Sequence, residues 1–371
     1  MKISTITFNH AHNHGSMLQT YALQQFVCQI CKNLNIPVEY IVIDYDTDLQ
    51  RELYNVFKSG YGIKSIVKNI IAFLHYRSLK SRHEKFERFI RGNCNLSRRY
   101  SSEQQLIEDI PLSDVYISGS DQIWNVRSQD FSDVYYLPFI KDKRKISYAA
   151  SFGPLKIDWS KYNASLYSQY LSDYSAISVR EEGSANNVEI LTGKRPQIHL
   201  DPTFMLTADE WRKVQSNATY NSGQYILLYC LEPTKDQIQM AQAISKKIKL
   251  PVVVLRYNNT NDWFNSFVHR YDAGPADFLS YIDNAALVLS SSFHGTAFSL
   301  IYHKPFYVFH GLKDNRISSI LKRVGLEERS IDSLQDIQKV SLDSIDGNLI
   351  EEFLNNERAR SMNYLISAIG L

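Results

Sequence analysis

The sequence predicts an α/β protein with parallel sheets covered by helices, arranged as two domains. Three observations predict it. Short apolar runs rich in Val, Ile and Leu alternate with helix-like stretches, the pattern of strands buried on both faces. That alternation restarts beyond Pro202. At 371 residues the chain is also too long for one compact core and suits about two domains.

Ile3 to Phe8 reads as the first strand, followed by a helix from about Ser16. Val38 to Asp44 is the second strand, Asp114 to Ser118 the third, Lys145 to Ala150 the fourth and Ala176 to Val179 the fifth. In His199-Leu200-Asp201-Pro202-Thr203 the proline sets a turn that closes this first domain. After a boundary near Thr207 to Ser222 come Tyr225 to Cys230, a helix from Thr234 to Ile248, and Pro251 to Leu255. A helix from Pro275 to Asp283 leads to the strand Ala286 to Leu289, and Phe306 to Phe309 closes the series. We therefore divide the chain into residues 1–206 and 207–371 and expect the site in their shared cleft.

Lys58 to Arg99 differs. Lys64, Lys68, Arg77, Lys80, Arg82, Lys85, Arg88 and Arg91 stand among Ile66, Ile70, Phe73, Leu74 and Phe86. One or two basic amphipathic helices, inserted near 58–99, are expected. Packing on their own domain is the favoured reading, and contact with a membrane surface is the sharper alternative.

Composition narrows the function. A net charge of +2 offers nothing to attract nucleic acid. Cys28 and Cys31 form a C-x-x-C inside the apparent helix Leu18 to Leu34, while Cys94 and Cys230 stand far apart in sequence. Reduced, mostly buried thiols are expected rather than zinc or redox chemistry. Met1-Lys2 leads directly into a strand, and no apolar run approaches bilayer length, so a soluble cytoplasmic protein is expected. Aromatic residues are plentiful, with 24 Tyr and 18 Phe. Some, such as Tyr229, Trp124 and Trp263, could line a sugar pocket; others are core.

The candidate chemistry sits at strand ends, where open α/β sheets place ligands. Ser290-Ser291-Ser292-Phe293-His294-Gly295-Thr296 puts a histidine, suited to proton transfer, after an apolar strand. Gly295 is expected to allow a tight turn into Ala297 to Tyr302. In Ser118-Gly119-Ser120-Asp121-Gln122-Ile123-Trp124-Asn125, Gly119 relieves the turn and Asp121 could orient a sugar hydroxyl or move a proton, or simply cap a helix. In Ser178-Val179-Arg180-Glu181-Glu182-Gly183-Ser184, Arg180 could grip a carboxylate or phosphate, or pair with its neighbouring glutamates. Gly15-Ser16 opens a helix whose backbone N–H groups favour an anion. The preceding His10, His12 and His14 lack a carboxylate or cysteine partner nearby in sequence, so no metal is expected. Arg316, ahead of the helix Ile317 to Val324, could hold an anion there.

Taken together these residues resemble the polysaccharide pyruvyl transferase family. The matching pieces are Asn13-His14-Gly15-Ser16-Met17-Leu18-Gln19-Thr20-Tyr21-Ala22-Leu23-Gln24, Gly119 to Asn125, Ser178-Val179-Arg180-Glu181, Asp201-Pro202-Thr203, Ser292 to Thr296 and Lys304-Pro305-Phe306. They run in order along nearly the whole chain. His14 departs from the pattern, standing where such sequences often carry tyrosine. The resemblance implies two Rossmann-like domains in a glycosyltransferase-B-type arrangement. It also implies transfer of pyruvate from phosphoenolpyruvate, with no cofactor, onto two hydroxyls of a polysaccharide or lipid-linked oligosaccharide, forming a ketal. In that reading His294 is the acid or base, and Asp121 positions the acceptor or relays a proton. Arg180, Gly15, Ser16, Arg316 and Ser292 face the donor. His14, Gln122, Trp124 and Asn125 face the acceptor, on the N-terminal domain. A nucleotide-sugar glycosyltransferase and a non-catalytic carbohydrate-binding component of a polysaccharide assembly complex are the competing expectations.

Overall fold

The computed structural model describes residues 1–57, 63–255 and 266–371. Trp263 and the first residues of the 58–99 insert lie outside these. The chain begins β1 (Lys2–Ile6), α1 (His14–Asn33), β2 (Glu39–Tyr45) and α2 (Asp48–Tyr54), followed by α3 (Ile63–Leu74) and α4 (Tyr76–Asn93). Next come β3 (Leu96–Tyr100), α5 (Glu103–Asp109), β4 (Val115–Ser118), β5 (Arg144–Ser147), α6 (Ala164–Ser172), β6 (Ser178–Val179), α7 (Glu182–Thr192) and β7 (Gln197–Ile198). The rest runs α8 (Ala208–Arg212), β8 (Ile226–Tyr229), α9 (Lys235–Ile248), β9 (Val252–Leu255), β10 (Val268–Arg270) and α10 (Pro275–Asp283). It ends with β11 (Leu287–Ser290), α11 (Phe293–Ile301), β12 (Phe306–Phe309), α12 (Asn315–Val324), β13 (Ser330–Ile331) and α13 (Gly347–Ile369).

Two compact units result, and they are not contiguous halves. One comprises Met1–Tyr54, Ile90–Leu206 and Leu354–Leu371; the other, Asn55–Phe89 and Thr207–Phe353. The division at 206/207 is one of several crossings. In the first unit the end of α13 is bonded to the fold: Tyr364 Oη donates to Ser147 O at 2.8 Å and Arg358 Nε to Phe204 O at 3.0 Å. In the second, Lys85 of α4 reaches Asp277 of α10 at 2.8 Å.

The first unit carries a parallel sheet in the order β3-β2-β1-β4-β5. A short parallel pair, β6-β7, joins it through isolated bridges Ile146↔Ala176 and Ala150↔Val179. The second unit carries a parallel sheet in the order β10-β9-β8-β11-β12-β13. β4, β8, β11 and β12 are buried along their whole length, as mostly apolar strands in doubly covered sheets must be. Each unit has its own core, around Trp124, Tyr135 and Tyr136 in the first and around Ile226, Leu228 and Leu289 in the second.

Both sheets reverse direction of winding beside their first strand. β1 has β2 on one side and β4 on the other; β8 has β9 on one side and β11 on the other. The loops after β1 and β4, and after β8 and β11, therefore diverge and leave a crevice at the carboxyl ends, where such folds bind ligands.

Local chemistry sets the boundaries. Thr234 and Gln237 form a capping box that starts α9, and Gly193 and Gly325, with φ of 69° and 67°, end α7 and α12. The strand expected over Lys145 to Ala150 stops at Ser147, because Ala149 takes a φ of 50°. The tight turn expected at Gly295 is instead the first turn of α11. Glycine is required there for closeness: a Cβ would lie 2.9 Å from Ser290 Cβ and 3.1 Å from Tyr229 Cδ1. All four cysteines are free thiols, and burial pushes Cys28 up to about 11 and Cys94 up to about 12. Among the described residues no helix is long and apolar enough to cross a membrane.

Candidate active site

In the first unit, the turn leaving β4 brings three of the sequence motifs together. Asp121 takes a left-handed φ of 75°, a conformation that a non-glycine residue holds only when its surroundings compel it. Its carboxylate accepts from Ser16 Oγ at 2.5 Å and from the Gln122 backbone N–H at 2.8 Å. Arg180 Nη2 stands 4.0 Å from the same carboxylate. Ser16 comes from the first turn of α1 and Arg180 from the end of β6, so one aspartate ties three segments at the carboxyl edge of the sheet.

Arg180 is buried, and carboxylates surround it. Nη1 donates to Asp201 Oδ2 at 2.7 Å and Nε to Glu181 Oε2 at 3.3 Å. Those acids are themselves held: Thr203 donates to Asp201 from N at 3.0 Å and from Oγ1 at 2.8 Å, while Ser151 and Ser184 donate to Glu181. Burial works against the guanidinium charge, but Asp201, Glu181 and Asp121 more than offset it and hold the group cationic. The guanidinium expected to grip the donor is thus already committed to three acids of its own fold. Its neighbouring glutamate is one partner, as the plainer reading had it.

Three further expectations change at this edge. The Gly15 N–H at the start of α1 is capped by Asn13 Oδ1 at 2.9 Å, since the helix begins at His14 and not at Ser16. Trp124 has no exposed surface; its ring stacks on Tyr136 at 5.2 Å, so it packs the core and cannot touch an acceptor. Gly119 serves close approach rather than the turn, because a Cβ there would meet Thr5 Cγ2 at 3.0 Å. Gln122 and Asn125 are half-buried and joined, Asn125 Nδ2 donating to Gln122 Oε1 at 3.0 Å. They lie over Gly153, whose φ of 87° and lack of a side chain leave room for them. His14 is buried at the helix start.

A pocket escaped the sequence reading. It opens between the ends of β1 and β2 and is lined by Phe8, His10, Tyr45, Tyr54 and Asp130 among others. Tyr54 Oη donates to Asp130 Oδ2 at 2.6 Å, and Gln50 Nε2 to Tyr135 Oη at 3.0 Å. Burial pushes the Asp130 carboxyl up, against the hydrogen bond from Tyr54. His10 is turned onto Asp44 of β2, a carboxylate 34 positions away that no local spacing could pair with it.

In the second unit, β11 leads through Ser291 and Ser292 into α11. Ser292 is its N-cap by backbone and His294 lies buried in the first turn, with the Phe293 ring edge-on at 5.2 Å. Ser290 Oγ anchors the turn: it donates to Tyr229 O at 2.8 Å and accepts from the Ser292 N–H at 2.9 Å. α12 starts at the next strand, β12, so Ser292, His294 and Arg316 share the carboxyl edge of this sheet. Arg316, however, makes a two-bond pair with Asp314, at 3.0 and 2.6 Å, and Asp314 also caps α12. Burial works against the Asp314 charge, but Arg316 more than offsets it and holds the carboxyl low. The anion expected at this helix start is the chain's own.

The model of one family, polysaccharide pyruvyl transferase, matches residues 13–310. The chain belongs to that family. The matched span contains Ser16, Asp121, Arg180, Asp201 and His294. No curated protein matches the chain. Among solved structures, the E. coli trehalose-6-phosphate structure bound with UDP-2-fluoro glucose is similar at a TM-score of 0.52 and 9% identity, over 100% of this chain and 99% of that one. The UDP-GlcNAc 2-epimerase from Methanocaldococcus jannaschii is similar at 0.49 and 12%, over 96% and 99%. At such identities the likeness concerns the fold, which is α/β of the glycosyltransferase-B type.

Proposed function

We propose that this pyruvyl transferase takes phosphoenolpyruvate as donor and forms a ketal on two hydroxyls of a saccharide. The observation that carries the reading is the family match over residues 13–310, with a histidine and a constrained aspartate each at a sheet's carboxyl edge. An acid, assigned to His294, protonates the methylene carbon of phosphoenolpyruvate, and positive character develops on the central carbon. One sugar hydroxyl attacks there and loses its proton. Phosphate departs with its bonding pair, and the second hydroxyl closes the ring with loss of another proton. Asp121, locked by Ser16 and Gln122, positions a hydroxyl or takes its proton. Ser292 stands on the donor side. Arg180 acts here as a positioning residue that holds Asp121, and Arg316 would bind the donor only on parting from Asp314. His14, Gln122, Asn125 and the Asp130 pocket are assigned to the acceptor.

The glycosyltransferase-B fold keeps one rival, transfer from a nucleotide sugar. Thermal unfolding with each donor separates them. Phosphoenolpyruvate should raise the midpoint, and UDP-sugars should not. His294→Ala should retain that shift but release phosphate to an acceptor about a hundred- to ten-thousand-fold more slowly. Stabilisation by a nucleotide sugar alone would overturn the proposal.

A further inference from the structure

Four large apolar residues of the helix α3 face outward. At 3.6 residues per turn, Ile66, Ile70, Phe73 and Leu74 fall within about 100° of arc. Their exposures are 54%, 57%, 73% and 65%, whereas Ala72, on the opposite side, is 3% exposed. A helix lying on a globular fold does the reverse and buries its apolar stripe. Phe57 before α3 and Tyr76 after it are also exposed and stack on each other at 5.6 Å. Single exposed apolar residues are ordinary; a stripe of four on one helix, flanked in sequence by two more exposed aromatic rings, marks an interaction surface.

Charge selects the partner. From Ile63 to Phe89 there are seven Lys and Arg against two Glu, in a chain whose net charge is +2. Arg77, Lys80 and Arg88 are exposed on α4. Lys85 is less exposed and anchors the helix pair to its unit through Asp277 and Asp272, at 2.8 and 3.3 Å. A second copy docking by a twofold axis would bring this cationic patch against itself. An anionic bilayer answers both features, taking apolar side chains at the headgroup boundary and cations on its phosphates.

We propose that α3 and the start of α4 form a peripheral docking surface for anionic lipid membranes. This surface is separate from the residues assigned to transfer, so membrane binding stands or falls independently of the donor. The test is flotation of the full chain with phosphatidylcholine vesicles, with and without phosphatidylglycerol. The protein should float with the phosphatidylglycerol vesicles at low salt and be released at high salt. Phe73→Glu, and separately Arg77→Glu with Lys80→Glu, should each lower the bound fraction at least about tenfold with an unchanged thermal midpoint, since these side chains are exposed. Failure of the wild type to float, or equal flotation of the variants, would overturn the proposal. So would a concentration-dependent dimer in sedimentation that Phe73→Glu dissolves, because the stripe would then be a self-association face.

Discussion

Arg180 shows how a residue's chemistry can be legible while its use is not. A buried guanidinium at a strand end is equipped to bind an anion, and here the anions are Asp121, Glu181 and Asp201. Removing the cation would leave three buried carboxylates with hydrogen bonds from Ser16, Thr203, Ser151 and Ser184 but without the positive charge that offsets their mutual repulsion. Arg180→Ala should therefore cost about 3–5 kcal/mol in urea unfolding, with Arg180→Lys recovering only part because it lacks the fork that serves several acids. A cost near zero would mean the cluster is not what holds the Asp121 turn.

At the scale of elements, the β11–α11 joint depends on contact rather than on turn conformation. Gly295 has no left-handed φ, yet the space its Cβ would occupy belongs to Ser290 and Tyr229. Ser290 cannot retreat without giving up its bonds to Tyr229 O and the Ser292 N–H. Gly295→Ala should thus cost about 1–3 kcal/mol of stability as overpacking, and should shift His294 enough to depress phosphate release more than stability alone explains. Thermal unfolding and single-turnover assays of the one variant check both halves.

For the whole molecule, the decisive feature is that the chain crosses between the two units four times and ends back in the first. The end of α13 belongs to the first unit, where Tyr364 bonds Ser147 and Ser361 bonds His199 at 3.2 Å. Deleting residues 354–371 should consequently expose the first unit's core and make its segments the first cut in limited proteolysis, while the 207–353 segment resists longer. Uniform loss of resistance across the chain would show that the two units unfold together.

The strands Val115–Ser118, Ile226–Tyr229 and Phe306–Phe309 and the helix Pro275–Asp283 were legible, because runs of Val, Ile, Leu and Phe between Pro, Gly and capping residues have one economical folded form. β3, with Arg98 and Arg99 in it, and the brief β10 and β13 were not, since edge strands carry little apolar signal. The motifs of the site could be found by spacing and resemblance. Their wiring could not, because Ser16 meets Asp121 across 105 positions and His10 meets Asp44 across 34. By itself, then, the sequence determined the alternating α/β architecture, the family and the strand ends that carry chemistry, all of which follow from local pattern. Only the tertiary structure decided which charges are already matched within the fold, that Trp124 is core, and that α13 returns to the first unit. Each of those depends on contacts between residues far apart in the chain, which no local pattern encodes.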